Sequence, residues 1–160
     1  MRDEAETNRA IERYGDTVRR LCMIHLKNEA DTQDIFQTVF LKYLLHDRPF
    51  ESEEHEKAWF IRVTLNACRD LLKSVFRSRT VPLEELSTQI AHLTDERREV
   101  LSAVLELPRR EREAVYLHYY EGYTAPEIGR LLGKNINTIY THLARAREHL
   151  RERLGGEDHG

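Results

Sequence analysis

Five polar side chains in the middle of the chain recur at the spacing of one helical face. Arg62, Asn66, Arg69, Lys73 and Arg77 follow one another at steps of four, three, four and four residues, so a helix would place them in a single stripe. Guanidinium and ammonium groups bind phosphate oxygens, and an asparagine amide can hydrogen-bond a base edge. The stripe is therefore suited to hold a nucleic-acid strand. The alternative is a solvated helix face, because surface helices are routinely charged.

The distribution of charge helps to separate these two explanations. The net charge of the chain is -3 at pH 7, which excludes a histone-like protein that coats nucleic acid by bulk charge. Between Lys57 and Arg79, however, six basic residues stand against one acidic residue, Asp70. Solubility is usually served by surfaces of mixed sign. The one-signed segment therefore favours a local binding surface.

A second polar surface is predicted near the end of the chain. Thr124 and Glu127 have the spacing of a capping box, Gly133 is suited to end the short helix that follows, and Asn135 is suited to cap the next one. A short helix, a tight turn and a second helix are typical of a helix-turn-helix, whose second helix enters the DNA major groove. A hairpin in any helical bundle is the alternative, since it needs the same caps. The outer and flanking residues of the second helix are Asn137, Thr138, Tyr140, Thr141, Ala144, Arg145, Arg147 and Glu148.

The elements that position these residues are all predicted to be helices. Strand patterns are nearly absent, and glycine and proline are few. A first helix is expected from about residue 8 to 27, and a second from near Asp31, whose carboxylate is expected to cap it. Residues 46–57 are predicted to form a loop or a frayed short turn, and residues 58–78 a third long helix. Trp59 at the head of that helix is interpreted as a packing anchor.

Two small helical domains joined by a flexible linker account for the whole pattern. Pro82 and several small polar residues interrupt the periodicity over residues 78–93, which are predicted to be the linker. The domains are expected to cover residues 8–77 and 94–154. In the second, one helix is expected to enter at Pro108 and to leave at Gly122.

Several other classes of protein receive no support from the sequence. No apolar run is long enough to span a bilayer and the N-terminus is charged, so no membrane insertion and a cytoplasmic location are expected. Cys22 and Cys68 have no zinc-like spacing and are interpreted as reduced core residues. With no metal cluster, nucleotide loop or nucleophile motif, neither a cofactor nor an enzymatic activity is expected. His118 is interpreted as a helix-surface residue.

The C-terminal string LPRREREAVYLHYYEGYTAPEIGRLLGKNINTIYTHLARAREHLRERL resembles the promoter-binding domain of bacterial extracytoplasmic-function sigma factors. Earlier in the chain, DTQDIFQTVFLKY and AWFIRVTLNACRDLLK resemble the core-binding and DNA-melting helices of the same family. The resemblance covers nearly the whole chain and keeps the family's order. It implies a non-catalytic initiation factor whose partners are promoter DNA and core RNA polymerase, through the beta-prime clamp helices and the beta flap.

The same resemblance implies roles for individual residues. Asp34, Gln37 and Leu41 would bind polymerase. The stripe from Arg62 to Arg77 would meet the non-template strand of the minus-10 element, and the loop of residues 50–57 would capture a flipped base. The residues implied to read the minus-35 element are Asn137, Thr138, Tyr140, Thr141, His142 and Arg145.

This sequence departs from the family in two places. Positions 140 and 142, often basic in the family, carry Tyr140 and His142, which predicts weak phosphate affinity or an unusual element. The presumed capture loop is acidic, with Glu51, Glu53, Glu54 and Glu56, and is a candidate surface for an anti-sigma factor. A competing interpretation of the whole chain is a dimeric helix-turn-helix regulator that binds operator DNA without polymerase.

Overall fold

A computed structural model describes residues 1–75 and 95–155 of the chain. All regular structure in these residues is helical, which confirms the predicted fold class. The chain divides into two compact units, Met1–Ser87 and Thr88–Gly160. The predicted linker over residues 78–93 lies outside the described residues. Among the helices that the structure describes, none is long and apolar enough to cross a membrane.

The first unit contains three helices, α1 (Glu4–Leu26), α2 (Glu29–Leu45) and α3 (Glu53–Val75). They pack around Phe60, which is completely buried. Its ring lies 4.8 Å from that of Tyr14 on α1 and 5.1 Å from that of Phe40 on α2, measured between centroids. Contacts at this spacing bury large apolar surfaces from all three helices together. The inner face of α3 is thereby fixed, and its opposite face is left to solvent.

The starts of α2 and α3 differ from those predicted. Asn28, not Asp31, caps α2, because the Asn28 side chain accepts a hydrogen bond from the Asp31 amide at 3.0 Å while Asp31 is buried in the first turn. The third helix begins at Glu53, within the predicted loop. Ser52 accepts a hydrogen bond from the His55 amide at 3.1 Å, and the glutamates of the first turn are stabilised by the positive end of the helix.

One of those first-turn glutamates ties α3 to both other helices. The hydroxyls of Tyr14 and Tyr43 each donate to a carboxylate oxygen of Glu56 at 3.0 Å. Burial of the phenols is the largest cause that raises the pKa of each tyrosine, and the hydrogen bonds to Glu56 are the second. Together they raise each pKa to about 12. Both hydroxyls therefore stay protonated as donors at neutral pH. The N-terminal end of α3 is anchored by this shared carboxylate.

The second unit contains α4 (Asp95–Leu105), α5 (Arg109–Val115), a π-helical turn (Tyr116–Tyr120), α6 (Ala125–Leu132) and α7 (Ile136–Arg153). A single helix was predicted from Pro108 to Gly122. The structure instead has an α-helix over Arg109–Val115 that continues as a π-helical turn over Tyr116–Tyr120. The core includes Leu107, Val115 and Ala146. Gly122 follows the turn with a φ of 81°.

The predicted signals of the helix-turn-helix are present in α6, α7 and the turn between them. Thr124 and Glu127 form a reciprocal capping box, and hydrogen bonds from Thr124 lower the pKa of the Glu127 carboxyl. Gly133 ends α6 in the left-handed region with a φ of 66°. Asn135 caps α7 by accepting from the Asn137 amide at 2.8 Å. The sequence-based predictions for these caps are confirmed.

Gly129 allows the close approach of the backbone within this turn. The Lys134 amide donates to the Gly129 carbonyl at 2.8 Å, and a Cβ at position 129 would lie 2.9 Å from the Lys134 carbonyl oxygen. We expect Gly129→Ala to lower the free energy of unfolding by about 1–3 kcal/mol, because backbone on both sides must shift. Urea unfolding followed by circular dichroism measures this change.

Gly15 provides the matched control. A Cβ there would lie 3.6 Å from the Phe36 ring, an ordinary van der Waals contact. Gly15→Ala is expected to be neutral or to stabilise α1 by up to about 1 kcal/mol, because alanine has the higher helix propensity. Equal losses in the two variants would contradict the assigned role of Gly129.

Candidate nucleic-acid interfaces

The polar stripe of α3 lies on its solvent side. Arg62, Asn66 and Lys73 are exposed and Arg69 is half-buried. Arg77, the last predicted member, lies outside the described residues. The buried side of the helix includes the following residues: Phe60, Ile61, Thr64, Leu65, Ala67 and Cys68. The stripe and the core therefore occupy opposite faces of one helix, as predicted.

The described cations of this stripe, Arg62, Arg69 and Lys73, have no neutralising neighbour in the part of the chain that the structure describes. Among the described residues, none forms an ion pair or a side-chain hydrogen bond with Arg62, Arg69 or Lys73. By contrast, Arg13 on α1 pairs with Glu53 at 3.0 Å. A face that served only solubility would be expected to mix signs. The stripe instead presents unpaired positive charge together with one amide, the set needed to hold phosphates and a base.

An aromatic cluster borders the start of α3. Trp59 is half-buried, and its ring centroid lies 5.0 Å from that of Phe60 and 5.8 Å from that of Phe50. Phe50 in turn stacks on His46 at 5.1 Å. The packing role predicted for Trp59 is consistent with these contacts. These ring contacts pack the short loop between α2 and α3 against both helices through Phe50.

The polymerase-binding residues implied by the sequence share one exposed face of α2. Asp34, Gln37 and Leu41 are all exposed, and Leu41 retains 55% of its accessible surface. Leu45 lies one turn further on and is 58% exposed. Its spacing of four residues from Leu41 was the signal by which it could have been included. Together the two leucines form an apolar end to an otherwise polar strip.

The outer side of α7 carries the residues predicted to read duplex DNA. Asn137, Tyr140, Thr141 and Arg145 are exposed. Thr138 and His142 are half-buried on one flank of the helix. The opposite side of α7 is fixed in the core through residues that are almost completely buried: Ile139, Leu143 and Ala146. Polar groups thus project from a helix whose orientation in its unit is set by packing.

His142 occupies a positively charged environment. Two causes lower the pKa of the His142 imidazole: burial, which is the larger, and the nearby positive charge of Arg110. Arg110 was not among the predicted site residues. The imidazole is therefore neutral at pH 7 and can both donate and accept a hydrogen bond.

We expect Arg110→Gln to move the pKa of His142 partway back toward the ordinary histidine value of about 6.5, because one repelling charge is removed while burial remains. Imidazole resonances followed by NMR across pH measure this shift. A titration unchanged by Arg110→Gln would contradict the coupling.

The depressed pKa of His142 also predicts an effect on stability, since the unfolded chain binds the proton more readily. The free energy of unfolding should fall as pH drops through about 6.5, and it should fall less in His142→Gln.

Comparisons with known proteins agree across both units. Two family models match the chain, sigma-70 region 2 over residues 10–78 and sigma-70 region 4 over residues 97–150. The RNA polymerase sigma factor SigV of Bacillus subtilis is 28% identical over 141 residues, 87% of this chain and 85% of that protein. The ECF RNA polymerase sigma factor SigM of Mycobacterium tuberculosis is 26% identical over 156 residues, 96% of this chain and 79% of that protein.

The fold is also shared with a solved structure. The sigma factor RpoE of Bartonella quintana, solved in complex with the anti-sigma factor NepR, matches with a TM-score of 0.71 at 19% identity. The match covers 95% of this chain and 98% of RpoE. At this identity the likeness shows a common arrangement of helices.

Proposed function

The chain belongs to the sigma-70 family of RNA polymerase sigma factors, in the extracytoplasmic-function group, and from this premise we propose where each of its surfaces acts. As a sigma factor it binds core RNA polymerase and directs promoter recognition at transcription initiation, without catalytic chemistry of its own.

The exposed face of α3 holds the melted minus-10 element. Melting requires a protein that binds unpaired bases, and a cationic ridge with an amide at its centre offers both phosphate and base contacts. Asn66 hydrogen-bonds a base of the non-template strand, while Arg62, Arg69 and Lys73 bind its phosphates, with Arg77 extending the row. The loop and first turn over residues 50–57 receive a flipped base beside the aromatic cluster.

The outer face of α7 reads the minus-35 element as duplex. Amide and hydroxyl groups near the N-terminus of a helix suit base edges in the major groove, and an arginine further along suits guanine. The reading residues are Asn137, Thr138, Tyr140, Thr141, His142 and Arg145. The neutral state of His142 suits a base edge better than a phosphate.

The exposed strip of α2 binds the beta-prime clamp helices of polymerase through Asp34, Gln37 and Leu41, and the second unit contacts the beta flap. Residues 8–77 and 94–154 act as the two sigma domains, with residues 78–93 as their linker. The protein works in the cytoplasm, where polymerase and DNA are found. An anti-sigma factor is a further proposed partner, which the acidic side chains of Glu51 and Glu54 would meet.

The observation that best supports this division is the unpaired cationic stripe on α3 in the same chain as a capped helix-turn-helix. Run-off transcription with core polymerase and a promoter library tests it. Discrete start sites are expected only when the protein is added. Core polymerase that neither retains the protein nor gains specific starts would overturn the proposal. Specific binding of a palindromic duplex by the protein alone would instead favour the dimeric regulator.

A further inference from the structure

A hydrogen bond connects the flank of α7 to the π-helical turn before the helix-turn-helix. The Arg147 Nη1 donates to the hydroxyl of Tyr119 at 2.9 Å, across 28 residues of sequence. Both side chains are exposed, Tyr119 at 58%. The bond therefore contributes little to the core and calls for another explanation.

Tyr119 is itself held in place. Its ring meets that of His118 edge to face at 4.7 Å, and the His118 Nδ1 lies 2.7 Å from the Tyr123 carbonyl oxygen. His118, interpreted from the sequence as a helix-surface residue, is half-buried and contacts this carbonyl. The π-helical turn presents both rings, and such turns occur frequently at functional sites. The hydrogen-bond partner of Arg147, Tyr119, is therefore itself held in position by its neighbours.

The partner orients Arg147 without cancelling its charge. A phenol hydroxyl is neutral near pH 7, so the guanidinium keeps its full positive charge. Among the described residues, no carboxylate pairs with Arg147. Elsewhere on α7, Arg153 pairs with Glu106, and the His149 Nδ1 lies 2.6 Å from a Glu111 oxygen. Arg147 is therefore a cation that a neutral group orients, whereas Arg153 and His149 on the same helix each lie against a carboxylate.

Its position relative to Asn137 indicates what this cation would meet on DNA. Ten residues of helix place Arg147 about 15 Å along the axis from Asn137 and about 80° around it. A recognition helix inserts its N-terminal residues into a groove only about 12 Å wide. A side chain that far along, on a flank, lies where the helix passes the sugar-phosphate wall.

We propose that Tyr119 is a positioning residue that holds Arg147 against a backbone phosphate at the edge of the minus-35 major groove. The contact strengthens binding without reading sequence. This inference rests on the proposed minus-35 role of α7 and adds a phosphate contact to it.

The test uses the full chain with core polymerase on promoter DNA, with binding measured across a range of salt concentrations. Arg147→Ala is expected to weaken promoter binding about 5- to 10-fold and to reduce the magnitude of the salt slope by about 0.9, the value for one duplex phosphate. Tyr119→Phe is expected to give a smaller loss in the same direction, and none when Arg147 is already alanine. Arg147→Lys should restore the slope but only part of the affinity.

Arg153→Ala is the matched control, because it removes the same charge from the same helix where a carboxylate already pairs with it. Its salt slope should equal that of the wild type. A wild-type slope in Arg147→Ala, or a full loss in Tyr119→Phe that persists in the Arg147→Ala background, would overturn the inference. The failure of the broader proposal is distinguishable. If Asn137→Ala and Arg145→Ala also leave minus-35 preference unchanged, α7 does not read that element at all.

Discussion

Replacing Arg69 and Lys73 together by alanine is expected to slow open-complex formation by about 10- to 100-fold, a loss of roughly 1.4–2.8 kcal/mol, while core polymerase still retains the variant. Both side chains lie on the solvent side of α3 and have no ion-pair partner among the described residues. Removing them deletes two cations that we propose to hold the separated strand. For single-stranded DNA, the salt slope should become shallower by about 0.7 for each lost phosphate contact.

A fluorescent base in the minus-10 element reports strand opening, and co-purification with core polymerase reports retention. The control variant carries Arg9→Ala with Arg19→Ala, two exposed cations of α1, so the total charge removed is the same. It should open the promoter at the wild-type rate. Equal slowing in both variants would indicate a bulk-charge effect and would remove α3 from the melting step.

Periodicity and capping chemistry were sufficient to predict the parts of the fold that are decided locally. The helix-turn-helix is the clearest case, because Thr124, Gly133 and Asn135 each satisfy a backbone requirement within a few residues of themselves. The alternation of stripe and core on α3 was predictable for the same reason. The functional roles assigned to those exposed residues stay predictions, since exposure is shown and contact is not.

Helix starts were mispredicted where more than one nearby residue suits the same role. Asn28 and Asp31 can both cap a helix and both are buried. The cap lies at Asn28 because its side chain accepts the hydrogen bond from the Asp31 amide. The acids from Glu51 to Glu56 predicted a loop or a frayed short turn, although acids also favour the first turn of a helix. Tertiary contacts of Glu56 favour the helix there. Its carboxylate accepts hydrogen bonds from Tyr14 and Tyr43, which lie 42 and 13 residues away in sequence.

Contacts between distant residues account for what sequence patterns could not supply. The pairing of Arg147 with Tyr119 depends on the wider winding of a π-helical turn, for which no periodic signal exists. The position of Arg110 near His142 depends likewise on how α5 packs against α7. These contacts affect the charge state of His142 and the orientation of Arg147. They do not change which face of α7 is exposed.

The cations with proposed DNA contacts differ from two other basic residues of the chain. Arg13 pairs with Glu53 and Arg153 pairs with Glu106. Arg62, Arg69 and Lys73 have no ion-pair partner among the described residues, and Arg147 is held by the Tyr119 hydroxyl. In a chain of net charge -3, this segregation provides local affinity for DNA while bulk attraction stays weak. Polymerase is then needed to present both surfaces to a promoter at once.

Leu41→Asp is expected to weaken binding to core polymerase by about 10- to 100-fold, because burying a leucine contributes about 1.5–3 kcal/mol and the aspartate must be desolvated instead. Leu41 is 55% exposed on α2, so the fold of the free protein should not change. Asp34→Ala on the same face should also reduce retention more than it slows strand opening by the complex that does form. The size of each loss is measured by titrating labelled protein with core polymerase.

Asn8→Asp is the control, because it places the same carboxylate at an exposed position of the first unit but on α1, not on the α2 strip. It should bind core polymerase like the wild type. Unfolding measured by circular dichroism must be the same for all three variants if the loss reflects the interface. Normal retention of Leu41→Asp would mean that polymerase contacts another face of the first unit, because a buried contact cannot tolerate an unpaired carboxylate at its centre.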